Sequence, residues 1–106
     1  MTKNITNSVL PLVLSELRSH IDEIRETYKV SRIGVFGSVS REEDSPESDV
    51  DILIDFIPGK VKYRAFISLA DALEQIFSRP VDLITVNSLS PYMRPVIEKE
   101  VIWIYE

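Results

Sequence analysis

From Asp49 to Ile57 the chain reads DVDILIDFI, and this run constrains the fold more than any other segment. Successive side chains on an extended strand point to opposite faces. Val50, Ile52, Ile54 and Phe56 therefore share one face, while Asp49, Asp51, Leu53 and Asp55 share the other. The first face suits a hydrophobic core. On the second, Asp49 and Asp51 stand roughly 6.5–7 Å apart along the strand. They repel each other unless something cationic lies between them.

The rest of the chain reads as helices and strands arranged around this one. Leu10, Leu14, Leu17, Ile21, Ile24 and Tyr28 recur at spacings of three and four, which predicts a helix over about Ser8 to Tyr28 with one apolar stripe. Pro11 falls in its first turn, where a missing N–H does no harm. Ser31 to Phe36 reads as a short buried strand that ends abruptly at Gly37-Ser38. The polar stretch Val39 to Ser48 predicts a short helical turn and a loop. Pro58-Gly59 marks a turn. Lys62 to Phe77 reads as a helix, with Phe66, Leu69, Leu73 and Ile76 facing inward. Val81 to Val86 reads as a strand, Pro91 to Lys99 as a short helix, and Val101 to Tyr105 as a closing strand. The order predicts an α/β sheet with helices packed on it.

The 106 residues suit one domain, residues 1–106, able to bury a real core. The net charge of -5 argues against a long DNA or RNA partner, because such partners select a basic face. The absence of cysteine excludes disulfides, zinc-thiolate sites and thiol nucleophiles. No apolar run has the length of a membrane span, and MTKNITNSVLP lacks a signal pattern. A cytoplasmic protein is the expectation.

Three elements carry chemistry. Asp49-Val50-Asp51 offers paired carboxylates, which also occur on plain solvated strands. A divalent ion with oxygen ligands relieves their repulsion, and magnesium is the usual choice beside phosphates. Gly37-Ser38 ends a strand and enters a helical turn; it is either a plain turn or one that offers free backbone N–H groups to an anion. Glycine lets a phosphate approach the backbone, and the Ser38 hydroxyl can donate to it. Asp82 interrupts the apolar strand VDLIT, a costly place for a carboxylate unless it is paired, metal-bound or exposed at an edge. If that strand lies beside residues 50–57, Asp82 meets Asp49 and Asp51. Together these residues describe a site for two-metal nucleotidyl transfer.

Ten residues separate Ser38 from Asp49. The resulting pattern, Gly37-Ser38-x10-Asp49-x-Asp51, resembles the signature of the DNA polymerase β-like nucleotidyltransferase superfamily. The string GSVSREEDSPESDVDILIDF, with PVDLIT and the closing IEKEVIWIYE, resembles its minimal nucleotidyltransferase (MNT) branch over nearly the whole chain. The resemblance implies a small mixed sheet flanked by helices, within the α/β (α+β) class. It implies that Gly37, Ser38 and Arg41 meet the nucleotide phosphates. It also implies that Asp49, Asp51 and Asp82 bind two magnesium ions, with Asp82 helping to deprotonate the attacking hydroxyl. ATP is the implied donor. The implied partner is a cognate HEPN ribonuclease toxin, AMP-modified on a tyrosine by this chain acting as its antitoxin. One departure stands out: Glu42 occupies a place where many relatives have glycine.

Two other readings compete. In one, the chain is a catalytically idle binding module that neutralises its partner by occlusion. In the other, it modifies a small hydroxyl compound, against which the short chain weighs. Among the remaining residues, Asp55 is expected to be structural or exposed, and His20 a surface residue. Lys60, Lys62 and Arg64 form either a solvated helix start or a contact for phosphate or an acidic partner. Trp103 reads as core packing first and partner interface second.

Overall fold

The computed structural model describes residues 8–104. Helix α1 (Leu10–Tyr28) buries Leu10, Val13, Leu17, Ile21 and Ile24. Val13 is fully buried, whereas Leu14, expected in the stripe, and Tyr28 pack partly against the same core. Asp44 reaches back to the helix start. It accepts hydrogen bonds from the Ser8 hydroxyl (2.5 Å) and the Val9 N–H (3.1 Å). Burial pushes its carboxyl pKa up, but these hydrogen bonds outweigh burial and leave it below the ordinary value.

Strand β1 (Val30–Phe36) runs directly into the one-turn helix α2 (Gly37–Ser40), two residues earlier than the polar composition predicts. A loop leads to β2 (Val50–Phe56). Helix α3 (Tyr63–Phe77) then crosses to β3 (Val81–Thr85). Val86, expected in that strand, instead begins a 3-10 turn (Val86–Ser88) and tucks under the sheet with Phe36, Leu53 and Ile97. Helix α4 (Met93–Glu100) follows, and β4 (Ile102–Trp103) closes the sheet. This last strand starts at Ile102 because the Val101 N–H bonds back to the Ile97 carbonyl, which keeps Val101 on the helix end; past Trp103 the Ile104 N–H still bonds to the Ile33 carbonyl. Tyr105 lies outside the described residues.

The four strands form one mixed sheet in the order β3-β2-β1-β4. β1 pairs antiparallel with both β2 and β4, and β2 pairs parallel with β3 through the α3 crossover. Gly34, at the centre of β1, faces Trp103 across the β4 ladder. A Cβ there would lie 2.8 Å from the Ile102 carbonyl oxygen and the Val101 side chain, so no larger residue fits.

Both faces of the sheet are covered. Val50, Ile52, Ile54 and Phe56 face α1 and α3 in the main core, with Leu69, Leu73 and Ile104. Leu53 points the other way and is buried with Phe36, Val86 and Ile97 beneath α4. This second core explains the single leucine among the aspartates of β2. It also leaves the end of that face nearest α2 free of apolar cover, and the carboxylates lie there. Among the described residues no helix is long and apolar enough to cross a membrane.

Candidate active site

The site begins with the junction between β1 and α2. Gly37 has φ +72°, a left-handed conformation that favours glycine. A Cβ on this residue would overlap Oδ2 of Asp51. Glycine here thus serves two purposes: it turns the chain, and it leaves room for the Asp51 carboxylate against the turn. Phe36, immediately before it, pairs with Asp51 across the β1–β2 ladder.

The parallel pairing of β2 with β3 sets Asp51 directly beside Asp82. Registered partners in a sheet point to the same face, roughly 4.8 Å apart from strand to strand. Asp49 sits just before β2 and faces the same way by alternation. The loop that delivers it is tied down by Arg79, whose guanidinium donates to the carbonyls of Ser45 and Ser48, both at 3.2 Å. The Val50 N–H bonds to the Pro80 carbonyl at 2.9 Å, fixing the start of both strands together.

Electrostatics separates Asp51 from ordinary carboxylates. It is half-buried, and no hydrogen bond or ion pair reaches it among the described residues. Burial first, then the negative charges of Asp82, Asp49 and Glu100, push its pKa up to about 6, with Arg41 pulling the other way. Asp49 and Asp82 are exposed and likewise have no partner among the described residues. Such a cluster is short of positive charge. An all-carboxylate, all-oxygen donor set of this kind fits a hard divalent cation. No group of three His, Cys, Asp or Glu side chains among the described residues already closes on a common point that could hold one. The fit therefore lies in the chemistry of the donors and the missing charge.

The turn offers less backbone than the sequence suggests, because Oε2 of Glu100 already accepts the Gly37 N–H at 2.7 Å. The half-buried Ser38 has a hydroxyl with no partner among the described residues. Arg41 ends α2 and is held by two carboxylates, donating from Nε to Glu43 (2.9 Å) and from Nη1 to Glu100 (2.7 Å). The fold therefore gathers Gly37, Ser38, Arg41, Asp49, Asp51 and Asp82 at one end of β2. Glu100 joins them although its sequence context gave it no role. Sixty-three positions separate it from Gly37, and a glutamate at the end of an amphipathic helix carries no local signal of such a contact.

Glu42 acquires a physical explanation. It has φ +58° and follows the last turn of α2. The Glu42 N–H bonds to the Val39 carbonyl and the Glu43 N–H to the Ser38 carbonyl. This pair of bonds is the Schellman helix ending, whose left-handed position is usually glycine. The remaining candidates sit apart from the carboxylates. Asp55 pairs with Arg32 at 3.5 Å, and Arg32 lies 4.0 Å over the Trp103 ring. Lys60, Lys62 and Arg64 are exposed. His20, expected at the surface, is only part-exposed; its Nδ1 lies 2.8 Å from the Glu16 carbonyl.

Residues 17–104 match the sequence model of the nucleotidyltransferase domain. The protein adenylyltransferase MntA of Thermococcus cleftensis is 41% identical over 92 residues, covering 85% of this chain and 90% of that protein. A solved structure assigned as a minimal nucleotidyltransferase superposes with a TM-score of 0.75 at 28% identity, covering 92% of this chain and 98% of the other. A chain from the complex of tri-AMPylated Shewanella oneidensis HEPN toxin with MNT antitoxin superposes with a TM-score of 0.61, over 87% of this chain and 71% of that one. At 20% identity this last likeness concerns the fold.

Proposed function

The chain belongs to the nucleotidyltransferase domain family, and from that premise we propose that it transfers AMP from ATP to a tyrosine of a HEPN-type toxin, acting as the antitoxin. The observation that carries this reading is the half-buried Asp51 carboxylate, without a partner among the described residues, set over the Gly37 turn and beside Asp82. One relative supports the substrate class, the 41% identical protein adenylyltransferase; the match to a chain of an AMPylated toxin–antitoxin complex supports the fold.

Each residue has a task in this reaction. Ser38 donates its hydroxyl to a phosphate oxygen. Gly37 keeps the turn flat enough for Asp51 and the phosphates to share it. Arg41 has five N–H donors, two of them committed to Glu43 and Glu100, and it turns the others toward the phosphates. Asp49, Asp51 and Asp82 would hold two magnesium ions, which would supply charge stabilisation at the attacking and leaving oxygens. Asp82, exposed at the rim, accepts the proton of the attacking tyrosine hydroxyl, a group that titrates near pH 10 and needs such help at neutral pH. The tyrosine oxygen bonds to the α-phosphorus as the bond to the bridging oxygen breaks. Pyrophosphate leaves with that electron pair.

The test is magnesium-dependent transfer of labelled AMP from ATP to the co-expressed partner toxin. Transfer by the wild type and its loss in Asp49→Ala and Asp51→Ala are expected. Full neutralisation of the toxin by the Asp49→Ala, Asp51→Ala double variant would instead make the chain an occluding module. Labelling of a small hydroxyl acceptor with no protein partner would make it a small-molecule enzyme.

A further inference from the structure

Glu100 is the least expected member of the site. Its side chain is 18% exposed. Its two oxygens are divided between two groups assigned to the phosphates: Oε2 accepts the Gly37 N–H and Oε1 accepts Arg41 Nη1–H, each at 2.7 Å. Hydrogen bonds to an ionised acceptor are short and strong, and these are among the shortest at the site. The residue cannot drift as part of a loose segment. Ile97, one turn before it on α4, is buried in the second core. Two residues after it, Ile102 pairs with Val35 in the sheet.

A carboxylate here carries an electrostatic cost, since Glu100 is one of the charges that oppose ionisation of Asp51. It also adds negative charge where a triphosphate must come. A compensating role is visible in Arg41. This arginine ends a four-residue helix and is 45% exposed. Its other tether, Glu43, is 65% exposed, and pairs that open to water hold a side chain weakly. Among the described residues, Glu100 alone ties the guanidinium to a fixed part of the fold, and with its other oxygen it ties the first N–H of the same turn. Preorganised donors on rigid elements bind a charged ligand better than donors that must first be ordered.

We propose that Glu100 is a positioning residue: a single carboxylate that sets both the Gly37 turn and the Arg41 guanidinium for the incoming triphosphate. This inference rests on the nucleotide-transfer reading of the site. It acts through Arg41 and the turn, without touching the nucleotide. In Glu100→Gln the amide nitrogen cannot accept a hydrogen bond, so one of the two contacts is lost and the other keeps only a neutral acceptor.

The test is calorimetric titration of magnesium with a non-hydrolysable ATP analogue into wild type, Glu100→Gln, Arg41→Ala and the double variant. Affinity should fall about tenfold in Glu100→Gln, the scale of one lost charged hydrogen bond. The double variant should bind more tightly than the product of the two single losses predicts, because what Glu100 exerts through Arg41 is already gone in Arg41→Ala and only its hold on the Gly37 turn is left to lose. In transfer assays KM for ATP should rise while kcat at saturation stays within about threefold, the mark of lost binding common to ground and transition states. Glu100→Gln that binds as tightly as wild type, or more tightly, overturns the inference; so do fully additive effects. Wild type that binds no nucleotide overturns the function itself and this inference with it. Melting temperatures accompany each titration. If Glu100→Gln is unfolded, Glu100→Asp, with the charge kept and the reach shortened, carries the same expectation.

Discussion

The two ends of strand β2 hold aspartates on the same face and treat them oppositely. Asp55, at the far end, has its own cation: Arg32 stands 3.5 Å away and is itself laid over Trp103. Asp51, at the near end, has no donor among the described residues, three acidic neighbours and a pKa raised to about 6. Beside Asp55 lies a hollow of about 290 Å³, lined by Phe56, Pro58, Val61 and Thr85 among others. Beside Asp51 lies the tight Gly37 turn. The contrast shows that a cavity and a charge-deficient cluster are different signals. A carboxylate already neutralised inside the protein is structural. One kept half-buried with no partner among the described residues carries an uncompensated charge.

Charge neutralisation at each end should therefore have very unequal consequences for the proposed activity, and this is the largest expected effect. Asp51→Asn should lower AMP transfer by roughly 10²–10³-fold, the scale of losing several kcal/mol of transition-state charge stabilisation. Asp55→Asn should leave transfer within about twofold, since the Arg32 pair is solvent-exposed and worth at most about 1 kcal/mol of stability. Equal losses at both positions, measured as initial rates at saturating ATP, would dissolve the distinction.

Gly37→Ala probes the turn that makes the near end special. The substitution meets both a left-handed φ of +72° and the Asp51 carboxylate. A cost of about 2–3 kcal/mol in unfolding free energy is expected, summing the left-handed penalty and the displaced carboxylate. Transfer should fall with it. Denaturant melts provide the measurement. A variant as stable as wild type would mean that Asp51 does not rest against the turn.

How much of this contrast was legible in the sequence depends on the range of each contact. The alternation in residues 49–57 and the stripes of α1 and α3 are local periodicities, so they could be read directly. The junction at Gly37-Ser38 could be read too, though not that the Gly37 N–H is already taken. The neighbourhood of Asp82 could not be settled, because the register of a parallel pair is set by the crossover helix rather than by either strand. Glu100 was invisible for the same reason on a longer scale. Val86 shows a third limit. Its β-branched side chain suits a strand, yet burial beneath α4 draws it into a turn instead. Glu42 stands out in the sequence as a departure from glycine, and its φ of +58° gives the reason.

The pH dependence of stability sharpens the comparison. Above pH 6 the Asp51 carboxyl is ionised in both folded and unfolded chains, and the folded state bears the full repulsion. As pH falls from about 6 toward the ordinary value of 3.8, the folded protein takes up the proton first, so stability rises. Below both values the penalty is gone. Without divalent ions, Asp51→Asn should then stabilise the protein at pH 7–8 by on the order of 1 kcal/mol, after allowance for solvent screening, and by nothing near pH 3. Asp55→Asn should show no such gain at neutral pH, because it removes a favourable pair. Chemical denaturation in chelator at the two pH values gives both numbers. Stabilisation by Asp55→Asn equal to that by Asp51→Asn would mean that the two ends of β2 are electrostatically alike.

The smallest effect concerns the exit of the same turn. Glu42 holds φ +58°, and a residue with a Cβ in the left-handed region costs roughly 1–2 kcal/mol relative to its preferred conformations. Glycine has no such penalty in the folded state, although it loses more backbone entropy on folding. The two terms oppose each other, and the net expectation for Glu42→Gly is a gain of about 0.5–1 kcal/mol. The Schellman bonds from residues 42 and 43 to Val39 and Ser38 are backbone bonds, so the substitution keeps them. Lys29 provides the internal control, since it also sits in the left-handed region, φ 59°, at the end of α1 and away from the carboxylates. Glycine should stabilise both positions by similar amounts. Only Glu42→Gly should also change nucleotide affinity, because it alone removes a negative charge next to Arg41. An equal change in affinity from Lys29→Gly would show that the effect comes from global stability and not from the turn.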